Sequence, residues 1–89
     1  MNTATVVMYA TAWCPFCERA RTLLARKGIC YREIDVEDDP KLREEMVRRS
    51  GRRTVPQIFI GERHVGGWDD LAALDRAGGL EPLVAGAHA

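Results

Sequence analysis

The chain opens with an apolar run, Val6-Val7-Met8-Tyr9, followed from Pro15 by apolar positions at helical spacing: Ala20, Leu23, Leu24 and the stem of Lys27. The run predicts a short buried strand, and the spacing predicts one face of a helix. Gly28 ends that helix as the residue after its cap. Ile29 to Val36 predicts a second strand, in which Arg32, Glu33 and Asp35 suit a sheet edge better than a centre. A strand-helix-strand unit of this length is expected to be parallel and right-handed.

Asp38-Asp39-Pro40 starts a second helix, with an acidic cap and a proline in its first turn. Leu42, Met46 and Val47 form its apolar stripe, and Arg48, Arg49 and Gly51 close it. Gln57 to Gly61 and His64 to Gly66 lie close enough to pair as a hairpin. After Gly66-Gly67 a third helix begins near Trp68 or Asp69, with Leu71, Leu74, Ala72 and Ala77 inward, and Gly78-Gly79 ends it. Leu80, Pro82, Leu83 and Val84 are expected to pack as a last turn, and Ala85 to Ala89 to fray. The order β-α-β-α-β-β-α predicts an α/β fold. Its four-stranded mixed sheet has a parallel first pair, a last antiparallel hairpin and helices on both faces.

Size and charge narrow the classes. Residues 1–89 are expected to form one domain, without repeats or low-complexity tracts. With 13 basic and 13 acidic residues, the net charge of zero gives no reason to expect nucleic-acid or membrane partners. No apolar run approaches the roughly 20 residues that span a bilayer. The first residues lack the basic and apolar regions of a secretion signal, so the cytoplasm is the expected location. Three cysteines are too few for a secreted disulfide scaffold.

In a cytoplasmic protein, Trp13-Cys14-Pro15-Phe16-Cys17 therefore reads as a redox site, because two thiols two residues apart beside a β-α-β pattern can close a small disulfide. Pro15 suits the first helical position. Cys14 then falls at the N-cap, facing free backbone N–H groups and the positive end of the helix dipole. Such positions favour thiolate and lower a cysteine pKa to roughly 3.5–7.5. Cys17, one turn in, is expected to be more buried and slower to react. Half of a zinc site is the alternative, but a closed site needs four ligands. Cys30, His64 and His88 supply neither a second C-x-x-C nor an H-x₃₋₅-H, and no metal is expected. A chance pair of buried structural cysteines is the remaining alternative.

Three motifs together resemble a glutaredoxin of the bacterial dithiol kind, on the thioredoxin fold. They are Cys14-Pro15-Phe16-Cys17, Thr54-Val55-Pro56-Gln57-Ile58-Phe59-Ile60 and Gly66-Gly67-Trp68-Asp69-Asp70-Leu71, and the likeness runs from about Val6 to Leu83. The resemblance implies a glutathione-dependent thiol-disulfide oxidoreductase. Cys14 would attack the glutathione sulfur of a mixed disulfide, and Cys17 or a second glutathione would resolve the adduct. Glutathione would be the co-substrate, held by Phe16, Thr54, Val55, Pro56, Gly67, Trp68 and Asp69. A cis Pro56 would let the Val55 backbone pair with the ligand's cysteine like an added strand. The Gly67-Trp68-Asp69 turn would hold the γ-glutamyl carboxylate on backbone N–H groups, with Asp69 facing its ammonium. Asp69 and Asp70 also fit simple helix caps, and Pro56 fits a plain strand start.

The sequence departs from the family at several points. Phe16 replaces the commonest tyrosine, and Trp68 stands where relatives often have cysteine or tyrosine. Thr11 lies where many carry a lysine that meets the glycyl carboxylate, so that anchor is either supplied from elsewhere, with Arg52 and Arg53 the candidates, or weak. Trp13 resembles thioredoxins instead. Cys30 matches no motif and is expected to be a buried, inert thiol on the second strand. The expected partners are glutathione and glutathionylated or disulfide-bonded proteins, ribonucleotide reductase among them, for a monomeric enzyme. Two other functions are weighed. One is an electron donor to ribonucleotide reductase that is itself reduced by thioredoxin reductase, against which the Gly66–Asp70 motif argues. The other is a carrier of a [2Fe–2S] cluster held between two chains by Cys14 and added glutathione, which Pro15 disfavours in relatives.

Overall fold

The computed structural model describes residues 3–86. Its elements are β1 (Val6–Ala10), α1 (Pro15–Arg26), β2 (Arg32–Asp35), α2 (Pro40–Ser50), β3 (Gln57–Ile60), β4 (Arg63–Gly66), α3 (Trp68–Arg76) and α4 (Leu80–Val84). The strands form one sheet in the order β2-β1-β3-β4. β1 pairs with β2 in parallel, while β1/β3 and β3/β4 are antiparallel. This is the expected mixed sheet, with the charged strand at its edge.

Alternation along the two central strands divides the core. Val6, Met8 and Ala10 of β1 and Ile58 and Ile60 of β3 pack with Cys17, Ala20 and Leu24 of α1, Leu71 of α3 and Leu80 of α4. Tyr9 and Phe59 point the other way, with Val36 and with Met46 of α2. Residues of successive parity on a strand face opposite sides, so helices must cover both. α1, α3 and α4 cover one face and α2 the other.

Local signals set most of the ends. Gly28, at φ +67°, follows the Lys27 cap of α1. Gly28 N–H donates to the Ala25 carbonyl and Ile29 N–H to that of Leu24, a Schellman closure. Because Ile29 is used there, β2 starts at Arg32 rather than at Ile29. Asp39 caps α2 by accepting from Lys41 and Leu42 N–H, and Gly51 ends it in the left-handed region.

Some details differ from expectation. The N-cap of α3 is Gly67, not Trp68 or Asp69. Ala77 is exposed at the C-cap of α3 and Pro82 is exposed on α4, because both turn away from the sheet. Ala85 and Gly86 are hydrogen-bonded to Glu81 and Leu83 rather than frayed. Residues 87–89, the rest of the expected frayed end, lie outside the described residues.

Candidate active site

Cys14 is the N-cap of α1, in extended backbone (φ −110°, ψ 117°), with Pro15 at the first helical position. Its Sγ accepts the Cys17 N–H at 3.4 Å, and its carbonyl accepts the Glu18 N–H at 3.0 Å. The sulfur thus meets one of the unpartnered first-turn donors, as the motif predicts. On its other side the thiol donates to the Val55 carbonyl at 3.7 Å, beside the cis Val55–Pro56 bond. Cys14 is half-buried, whereas Cys17 is fully buried among the core residues of α1 and β1. Burial pushes the Cys17 thiol up to about 11, with Cys14 adding to the shift and the Thr11 backbone and Arg21 opposing it.

That asymmetry has a pH signature. Between the ordinary thiol value near 9 and about 11, an unfolded chain has released the Cys17 proton while the folded chain retains it. The folded state then binds more protons, so its stability falls as pH rises through this window. In fully reduced protein, the stability difference between wild type and Cys17→Ser should decline by at most about 1.4 kcal/mol per pH unit there. Denaturant unfolding at pH 8, 9 and 10 measures it. Parallel curves for the two proteins would contradict the burial account.

Arg21 braces the loop ahead of the cysteines. Its Nη2 donates to the Thr11 carbonyl at 2.9 Å, and its Nε and Nη2 bind both Glu33 carboxylate oxygens at 2.8 Å. The guanidinium is held above its ordinary range, chiefly by that Glu33 pair. Sequence reasoning missed this residue. The signal was an arginine one helical turn after Cys17, on the same face.

A groove of about 290 Å³ runs beside Val55, the residue that meets the Cys14 sulfur. It is bounded by Phe16 at the start of α1, by Thr54, Val55 and Pro56 ahead of β3, and by Gly67, Trp68 and Asp69 at the start of α3. All seven residues that the motifs suggested for a ligand therefore share one cleft. Arg52 and Asp70 complete it. Arg53 lies instead on a separate groove with Arg43 and Arg48 beside α2, and Thr11 is buried. Of the two candidate substitutes for the family's lysine, only Arg52 reaches the cleft.

Asp70, rather than Asp69, is tied to the helix start. Its Oδ2 accepts the Gly67 N–H and the Arg52 Nη1, each at 3.0 Å. Arg52 and then the Gly67 N–H hold the Asp70 carboxyl below its usual range. Gly66, at φ +122°, has to be glycine, since a Cβ there would run into the Asp70 side chain. Asp69 is exposed at the cleft rim. Phe16 is half-exposed under the Arg19 guanidinium, 5.3 Å from its ring centroid, and Trp13 is almost wholly exposed.

The Glutaredoxin family model matches residues 6–65. The chain belongs to the glutaredoxin family. A glutaredoxin from Pseudomonas aeruginosa is 58% identical over 79 residues, covering 89% of this chain and 94% of the relative. The solution structure of glutaredoxin from Brucella melitensis is 49% identical with a TM-score of 0.87, covering 100% of this chain and 97% of that one. A buckwheat glutaredoxin–glutathione complex is 30% identical with a TM-score of 0.84, covering 97% and 83%. The chain is accordingly an oxidoreductase of thiols and disulfides on a thioredoxin-like fold.

For a member of this family, Cys30 is the residue that sequence reasoning misjudged. It is exposed, not buried, and precedes β2 rather than lying on it. The cause is the Schellman closure, which takes Ile29 out of the strand and leaves Cys30 in the connection. Among the described residues no group of three or more His, Cys, Asp or Glu is gathered as metal ligands. His88 lies outside them.

Proposed function

We propose that this enzyme is a glutathione-dependent thiol-disulfide oxidoreductase working through Cys14 and Cys17. The reading rests above all on one observation: the cleft beside the N-capping cysteine combines the Thr54-Val55-Pro56 stretch ahead of β3 with a helix N-terminus, a cation and an acid. Glutathione offers a peptide backbone, two carboxylates and an ammonium. Arg52 and the α3 N-terminus suit the carboxylates, Asp69 suits the ammonium, and the Val55 backbone suits the peptide. The buckwheat relative is itself a glutathione complex.

In this mechanism the Cys14 thiolate attacks the glutathione sulfur of a mixed disulfide, and the α1 N-terminus is where its negative charge is favoured. The S–S bond breaks, the partner leaves as a thiolate that takes up a proton, and Cys14 carries glutathione. A second glutathione thiolate attacks that sulfur, releasing oxidised glutathione and restoring Cys14. With an intramolecular protein disulfide, Cys14 attacks one of its two sulfurs and forms a mixed disulfide. Cys17 then gives up its proton and attacks the Cys14 sulfur, breaking that bond, closing the Cys14–Cys17 disulfide and releasing the reduced protein. Two glutathiones then reduce the pair. The proposed unit is one domain acting as a monomer in the cytoplasm on glutathionylated and disulfide-bonded proteins. Reduction of a glutathione mixed disulfide, recycled by glutathione reductase and compared with thioredoxin reductase, tests this. Turnover only with thioredoxin reductase would replace it by the alternative donor function.

Asp69 provides a finer test. Asp69→Asn should raise the KM for glutathione a few-fold, because an exposed ion pair contributes about 0–1 kcal/mol. The helix cap belongs to Asp70, so the melting temperature should stay the same. Added salt should narrow the difference between the two proteins. A KM equal to wild type at low salt would remove Asp69 from the ligand site.

A further inference from the structure

We infer that Gln57 is a positioning residue for the cleft: its buried amide orients Thr54 so that the Thr54 hydroxyl proton is left free for a carboxylate of the ligand. The inference rests on the glutathione reading above. Gln57 opens β3 and is fully buried, an uncommon place for an uncharged polar side chain. Burying an amide without partners is costly, and this one is fully partnered. Its Nε2 lies 3.0 Å from the Thr54 carbonyl and 3.2 Å from Thr54 Oγ1, and its Oε1 lies 2.7 Å from His64 Nε2.

The chemistry of these atoms fixes the direction of every bond. A carbonyl oxygen only accepts, so the amide nitrogen faces Thr54 and the amide oxygen faces His64. The amide oxygen also only accepts, so His64 Nε2 carries a proton whether the ring is neutral or charged. The amide nitrogen then donates to both the Thr54 carbonyl and Oγ1. Thr54 Oγ1 is thereby used as an acceptor, and its own proton must be donated elsewhere. Thr54 is exposed and lines the cleft. A hydroxyl presented there as a donor suits a carboxylate acceptor, and the chain His64, Gln57, Thr54 polarises it in that sense.

Gln57→Glu tests the direction of the chain, since a carboxylate cannot donate to Thr54 and draws its hydroxyl proton inward. Steady-state turnover of a glutathione mixed disulfide, coupled to glutathione reductase, gives kcat and the KM for glutathione. In Gln57→Glu the KM should rise about 3–10-fold with kcat changed by no more than about twofold. His64→Leu probes the far end from outside the cleft, unlocking the amide without burying a charge. Its KM should rise about 2–3-fold, and it decides the matter alone if Gln57→Glu does not fold. In a Thr54→Val background, Gln57→Glu should add nothing further to KM. An unchanged KM in His64→Leu and Gln57→Glu, or an effect that persists without the Thr54 hydroxyl, overturns the positioning role. Wild type that shows no glutathione turnover overturns it together with the glutathione reading.

Discussion

Cys14→Ser should give a folded protein whose turnover is lower by about 10³-fold or more. The loss has a simple cause: an oxygen nucleophile cannot form the disulfide intermediate, and Cys17 is fully buried and held protonated, with its thiol pushed up to about 11. The fold should survive for an equally simple one. Cys14 is an N-cap whose side chain accepts a first-turn N–H, and serine is among the preferred residues for that task. Melting temperature at or above wild type, with reduction of a glutathione mixed disulfide at background, is the expected pair of results. Substantial turnover in this variant would pass the nucleophile's role to another thiol, and exposed Cys30 would be the first to examine.

Cys17→Ser should separate the two activities proposed for the wild type. Reduction of glutathione mixed disulfides should stay within about threefold, because a second glutathione can resolve the Cys14 adduct. Reduction of an intramolecular protein disulfide should drop by about 10²-fold or more, since it relies on a resolving thiol already next to Cys14. The Cys17 backbone N–H donates to the Cys14 sulfur at 3.4 Å, which keeps the two cysteines on the same first turn of α1. Burying a hydroxyl at this core position should cost stability by about 1 kcal/mol. Parallel assays on a glutathionylated peptide and on a protein disulfide measure the split. Equal loss of both activities would give Cys17 a part in the first attack as well.

The helices and the caps were legible in the sequence because each is decided within a few residues. Pro15 after Cys14, Asp39 before Pro40, and Gly28 and Gly51 after their helices act on neighbouring backbone groups. The β2 edge was legible too, since a strand carrying Arg32, Glu33 and Asp35 cannot be buried on both faces. The three motifs contain every residue that lines the cleft except Arg52. They did not reveal that Asp70, not Asp69, caps α3, because both acids stand at positions a helix N-terminus favours.

The sequence by itself determined where Cys14 sits on its helix, the contrast between the two thiols and the family to which the chain belongs. Tertiary structure decided what depends on distant partners. Only the β1–β3 pairing brings the Val55 carbonyl to the Cys14 sulfur across 41 residues, and Arg52 meets Asp70 across 18. The exposure of Cys30 and the buried bonds of Gln57 are likewise outcomes of packing. A polar side chain at a strand end carries no local mark of which neighbours will satisfy it. Its partners are fixed only when the sheet and its helices close around it.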